Sequence, residues 1–300
     1  MRDFSLNLPV NSVSFGQVSV ALLREFHARG LQPCLFPIGD KIDLHAQDGL
    51  KEDFQNWVQS CINKRFEQHS RSNPNFKLWH LNGSLESYSE KQVLLTFHET
   101  DQATPTEKNI AANNKLAFSS SHSKDVFEKS GVEGIEHIPL GFDSDNFSVK
   151  NQPYLKNKIV FNLTGKLENR KNHKDIIQAW VKKYGNNKDY VLQCAVSNPF
   201  LNQEDFSRII NEILQGKNYF NVNFLGPMQK NSLYNDYLNS ANIIIGMSGG
   251  EGWGLPEFQS VALGKHAVIL NCSGYKDWAN SENSTLIEPN GTKEVYDGLF

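Results

Sequence analysis

Short apolar runs alternate along this chain with stretches in which apolar residues return every third or fourth position. The runs at 31–38 (LQPCLFPI), 93–97 (VLLTF), 115–120, 158–165 (KIVFNLTG), 189–196 (DYVLQCAV), 222–226, 242–248 (NIIIGMS) and 266–271 (HAVILN) predict strands, and 135–141 a strand and turn. Helical spacing covers 18–29, 51–68, 123–130, 173–184, 205–214, 232–238 and 256–263; in 173–184, Ile176, Ile177, Trp180 and Val181 share one face. Strands separated by helices predict an α/β fold with mostly parallel sheets. The polar stretch 143–157 divides the pattern, so the expected domains are 1–150 and 151–300, each of Rossmann size. Ligands of such sheets lie beyond the carboxyl ends of the strands, and two such domains facing each other would enclose a cleft.

Composition narrows the classes of function. The 300 residues are 39% hydrophobic and 21% charged, an ordinary globular balance. No run approaches the roughly 18 apolar residues of a membrane span, and no strongly basic amphipathic helix marks a membrane surface. The N-terminus has no secretory apolar region. Cys34, Cys61, Cys194 and Cys272 are far apart without metal-ligand spacing, the pattern of free thiols in a reducing compartment, so a cytoplasmic location is expected. A net charge of −3 gives no basic footprint for nucleic acid. Residues 1–150 carry −4 and 151–300 carry +1, which favours the second half for an anionic ligand. Neither half has G-x-G-x-x-G after its first strand, which speaks against a nicotinamide dehydrogenase.

The chemistry concentrates in SGGEGWGLPEFQSVALG (248–264). A buried strand leads into a glycine-rich loop, and Pro256 stands where a helix begins, its φ already set. The helix start offers free N–H groups and about half a positive charge, while Gly250, Gly252 and Gly254 let backbone approach a ligand. Glu251 sits inside the glycine run, where a charge requires a partner. Amides for an anion beside a carboxylate for hydroxyls suit a sugar attached to a phosphate. A plain strand-to-helix turn would need the glycines and proline but not the acid. In TGKLENRKNHKDIIQAW (164–180), cations again follow a strand and precede a helix.

The first of these stretches resembles the signature of family-4-type glycosyltransferases of GT-B fold, S-x-x-E-G-[FW]-G-L-P-x-x-E-A-x-A-x-G-x-P-V-[IV]. The second resembles that family's G-[RK]-L-x-x-x-K-[GN]. The resemblance implies two Rossmann-like domains facing a cleft, a nucleoside-diphosphate-sugar donor, a carbohydrate, lipid or protein acceptor, transfer with retention, no divalent metal and no separate cofactor. It implies donor-sugar contact for Glu251, with Trp253 and Leu255 beside it, and diphosphate contact for Lys166 and Lys171 at the Gly165 turn, with Arg170 an adjacent candidate. The family's ribose-binding glutamate falls on Gln259, an amide with one acceptor and one donor group. Glu257, about 200° around the helix from Gln259, is expected to point elsewhere.

Further matches are shorter. The stretch 8–23 resembles the family's first strand–loop–helix and puts Gly16 near the donor phosphate. His98, at the end of a buried strand, matches a histidine near the donor sugar; such a histidine is equally a satisfied core residue, and Glu99 or Asp101 could tune it. FLGPM (224–228) with Leu233, Tyr234 and Tyr237 resembles the base-pocket segment. Asp143-Ser144-Asp145 spells a metal-binding D-x-D but follows IPLGF in the expected linker, so a polar turn is expected. The family's closing helix, which crosses back to the first domain, is expected to be shortened or missing. Gln259 and that shortening keep a non-catalytic nucleotide-sugar-binding subunit open as the alternative, with a sugar-nucleotide epimerase third.

Overall fold

The computed structural model describes residues 3–150, 154–198 and 200–294, which separate into two compact units, with the boundary between Asp143 and Ser144. In the first unit the elements run β1 (Ser5–Val10), α1 (Ser14–Ala28), β2 (Cys34–Ile42), α2 (Glu52–Gln68), β3 (Pro74–Leu78), β4 (Lys91–Thr96), α3 (Pro105–Ala112), β5 (Lys115–Phe118), α4 (Ser121–Lys129) and β6 (Glu136–His137). All strand pairs are parallel, in the order β2-β1-β3-β4-β5-β6. The order reverses between β1 and β3, where a sheet of this kind opens a crevice. Strands buried on both faces need continuous apolar runs, and Leu94, Leu116, Phe118 and Phe127 form part of the core under α3 and α4.

The second unit runs β7 (Ile159–Lys166), α5 (His173–Tyr184), β8 (Tyr190–Ser197), α6 (Gln203–Ile213), β9 (Val222–Phe224), α7 (Asn231–Ser240), β10 (Ile243–Gly246), α8 (Leu255–Ala262), β11 (His266–Leu270) and β12 (Ser284–Ile287). Its parallel sheet has the order β9-β8-β7-β10-β11-β12, the doubly wound arrangement of a dinucleotide-type fold. Here the order reverses between β7 and β10. The helical face predicted for α5 is the one that packs: Ile177 and Trp180 are buried against the sheet, with Ile176 and Val181 beside them.

Four elements differ from the sequence pattern. α1 starts at Ser14 and so takes in Gly16, while β3, α3 and β12 add to the pattern. Residues 144–146 form the expected turn, and Asp143 is held by Arg24 at 2.5 Å instead of standing open to a metal. No group of three or more His, Cys, Asp or Glu among the described residues could hold a metal ion. No described helix is long and apolar enough to cross a membrane. The expected shortening of the closing helix concerns the chain beyond β12, where residues 295–300 lie outside those described.

Candidate functional site

The two strands that flank the reversal in the second unit each end in a functional loop. β7 runs through Gly165 and Lys166 into a single 3-10 turn, Asn169–Lys171, and α5 then starts at His173. β10 ends at Gly246, and residues 247–254 lead into α8, where Gly254 caps the helix in a left-handed conformation, with Pro256 in the first turn. The loops are laced together. The Gly249 N–H donates to the Arg170 carbonyl at 2.8 Å, and the Asn172 side-chain amide donates to the Met247 carbonyl at 2.8 Å.

This lacing carries the cations to the acid. Lys171 Nζ donates to Glu251 Oε1, and Arg170 Nη1 approaches the same oxygen at 3.1 Å while donating to the Gly250 carbonyl at 2.6 Å. Glu251 and Lys171 are both buried. Burial alone would favour a neutral acid, but the two cations outweigh it and hold Glu251 below the ordinary carboxyl range. Lys171 likewise stays charged: burial pulls its pKa down, and Glu251 with Glu257 more than restores it.

Lys166 is not brought to this pair. Its ammonium meets Glu168 at 2.6 Å and lies 4.8 Å above the Phe200 ring. Arg170, 3.6 Å from Glu168 and 3.1 Å from Glu251, links the two groups. The loop amides are also used differently from expectation. Those of Gly249, Gly250 and Glu251 bond to the Arg170 carbonyl, Ser248 Oγ and Ser273 Oγ, so they shape the loop that holds Glu251. Gly252 continues that loop, and Leu255 opens α8. Trp253 faces the interior: its ring meets Phe258, and its carbonyl accepts from Trp278 Nε1 at 2.8 Å. Gln259 is 8% exposed, and its side chain forms no hydrogen bond among the described residues.

The sequence pattern gives no site role to three residues that stand here. Gly274, outside both motifs, packs its α-carbon against the backbone of Glu251 and Gly252 so closely that a Cβ would lie 2.7 Å from the carbonyl oxygens of both residues, and its N–H donates to the Glu251 carbonyl at 2.9 Å. His173 is buried beside Gly165, and burial together with the Lys171 charge pushes its pKa down to about 4. It is therefore neutral at pH 7. Glu257 points away from Gln259, as the helical wheel requires, but into the interior near Lys171 and not to solvent. Burial pushes its carboxyl up to about 7, with the Lys171 charge opposing and the Glu251 charge adding.

Glu257 gives a pH dependence of defined sign. The folded protein holds this proton more tightly than the unfolded chain, so the associated stability is complete below about pH 4.5 and is lost as pH rises through about 7. Glu257→Gln is expected to flatten that loss. Urea denaturation at pH 5 and pH 8 should show the variant gaining relative to the parent, by up to about 3 kcal/mol. Equal differences at both pH values would mean that Glu257 is ionised throughout.

Gly16 lies in the first turn of α1 against the Asn11 backbone. His98 follows β4, and both its ring nitrogens are engaged: Nδ1 lies 3.4 Å from Glu107 Oε1, and Nε2 lies 2.9 Å from Thr100 Oγ1. The partner of Nδ1 is Glu107, whose other oxygen accepts from the Thr104 N–H in the capping box of α3. In the second unit, Tyr237 is buried in α7. Its hydroxyl is 2.8 Å from Thr164 Oγ1 and fastens the end of β7.

A doubly wound sheet with a cation–carboxylate cluster at its strand reversal defines an α/β protein whose charged loops lie where sheets of this kind take their ligands. Residues 143–299 match the model of the glycosyl transferases group 1, more than half of the chain, and the chain belongs to that family. It is a GT-B glycosyltransferase by fold. Sucrose-phosphate synthase from Thermosynechococcus elongatus is similar with a TM-score of 0.68 at 14% identity, over 97% of this chain and 87% of that one. A glycosyltransferase from Rickettsia africae gives 0.67 at 14%, over 97% and 86%. HepE from Anabaena, solved with UDP-glucose, gives 0.66 at 14%, over 95% and 86%. At such identity the likeness is one of fold. No curated protein matches the sequence.

Proposed function

We propose that this protein transfers a sugar, with retention, from a nucleoside-diphosphate sugar to a hydroxyl acceptor. The observation that carries this is the convergence of Lys171 and Arg170 on Glu251 at the β7/β10 reversal. As the bond between the sugar and the diphosphate breaks, charge accumulates on the leaving group. Lys171 and Arg170 are fixed before that happens, so they stabilise it without reorganising, and no divalent metal is required. Lys166 adds charge from the rim, Glu251 orients the sugar hydroxyls, and Gln259 takes the ribose. The acceptor oxygen bonds to the anomeric carbon on the face the diphosphate leaves, and its proton passes to a diphosphate oxygen. His98 is braced by Glu107 and Thr100 and has no proton transfer in this scheme.

A panel of nucleotide sugars tests the proposal, with UDP-glucose first because a protein of the same fold was solved with it. One donor is expected to raise the melting temperature and to be hydrolysed slowly to free nucleoside diphosphate, with or without a chelator. Loss of hydrolysis in the chelator would reinstate a metal. Thermal stabilisation without hydrolysis would instead favour a binding subunit, the reading that the amide at Gln259 supports.

A further inference from the structure

The reversal between β1 and β3 opens a cavity of about 390 Å³ in the first unit. Asn7 of β1 and Lys77 of β3 are register partners in the parallel pair and line the same cavity. Pro37, Ile38 and Gly39 of β2 close one side. A short 3-10 turn, Leu81–Leu85, and the loop after it, through Glu86 and Tyr88, close the other.

Lys77 is the unusual member. A cation in a strand at the middle of a sheet is 4% exposed, yet among the described residues its ammonium donates to a single acceptor, the Glu86 carbonyl at 3.0 Å. An ammonium has three N–H donors, and a buried charge requires paired acceptors. The carboxylate near it, on Glu86, belongs to an exposed residue at the rim. Burial lowers the Lys77 pKa, the sign that the charge lacks sufficient compensation. The walls are firm. The Tyr88 ring stacks on Phe36 at 4.1 Å, the Tyr88 carbonyl is 2.9 Å from His69 Nε2, and the residue is still 48% exposed. Trp79 supplies a second aromatic surface.

We infer that this cavity binds an acidic monosaccharide unit, whose carboxylate or phosphate pairs with Lys77 while its ring lies against Tyr88 and Trp79. An anion supplies the acceptors the ammonium lacks, and aromatic faces suit the C–H face of a sugar. The volume falls in the range of small-molecule sites. Assigning this ligand as the acceptor rests on the transferase proposal above; its binding does not.

The test is calorimetric titration of the full chain with glucuronate, glucose 6-phosphate, glucose and inorganic phosphate. At least one acidic sugar is expected to bind ten-fold or more tighter than both glucose and phosphate. Lys77→Gln should weaken it at least ten-fold without altering the melting shift given by a nucleoside diphosphate. Glu86→Gln, at the exposed rim, should tighten it several-fold, and so keeps the test decisive if Lys77→Gln folds poorly. Glucose or phosphate binding as tightly as the acidic sugars, or affinity indifferent to both substitutions, overturns the assignment. Acidic-sugar binding through Lys77 in a protein that no nucleotide sugar stabilises would sink the transferase proposal and leave this site standing.

Discussion

Glu251→Ala is expected to lower stability by about 3–5 kcal/mol and to reduce donor hydrolysis at least 100-fold, while affinity for free nucleoside diphosphate does not fall. The stability loss follows from what remains. Lys171 is buried and donates to Glu251, so removing the acid strands an ammonium in the interior. Truncating one partner of a buried pair costs the desolvation of the other, which is why the figure exceeds that of a surface ion pair. The affinity expectation has the opposite sign because Lys171 and Arg170 no longer share Glu251 and are open to the diphosphate. Glu257 adds a second test. It lies near Lys171, and the Glu251 charge helps keep it protonated. With Glu251 gone, Glu257 becomes the nearest counter-ion and ionises, recovering part of the loss. Glu251→Ala with Glu257→Gln should therefore be less stable than the two single effects added together, by an amount typical of contacting residues. Additive effects in urea denaturation would show that the two carboxyls do not sense each other through Lys171.

The second unit was more legible than the first because its central strands are long apolar runs, as in Ile243, Ile244 and Ile245 of β10. β3 was missed because Lys77 stands in its middle and Pro74 at its head, so five residues carry little apolar pattern. Its burial is tertiary, set by β1 and β4 on either side. α3 has few apolar residues, yet Thr104, Pro105 and Glu107 spell a capping box with proline in the first turn, a local signal that could have revealed it. Lys171 and Glu251 were found from their motifs. What the motifs did not convey was the 3-10 turn at Asn169–Lys171, which leaves Lys166 with Glu168 and puts Arg170 beside the acid. The helical wheel gave the direction of Glu257 correctly; its neighbours, Lys171 and Tyr275, come from segments far away in sequence.

Gly254→Ala should cost about 2–5 kcal/mol, and Gly264→Ala only about 1–2. The two glycines share a left-handed backbone, with φ of +78° and +79°. Alanine at either position meets the same backbone penalty. They differ in surroundings: a Cβ at Gly264 has nothing within 4 Å, whereas at Gly254 it would lie 2.2 Å from Tyr275 Cε1 and 2.7 Å from Cδ1. Tyr275 is fully buried and packed edge-on against Trp278, so it has nowhere to retreat. The excess at Gly254 is thus an overpacking effect of about 1–3 kcal/mol. It reaches the site through the chain, since Tyr275 follows Gly274, whose backbone is fitted to the Glu251–Gly252 peptide. Pushing Tyr275 aside should shift the Glu251 carboxylate and reduce donor hydrolysis in Gly254→Ala, while Gly264→Ala keeps near-parental turnover at a temperature where both are folded. Equal stability losses for the two variants would show that backbone strain alone selects glycine at 254, and that Tyr275 yields freely.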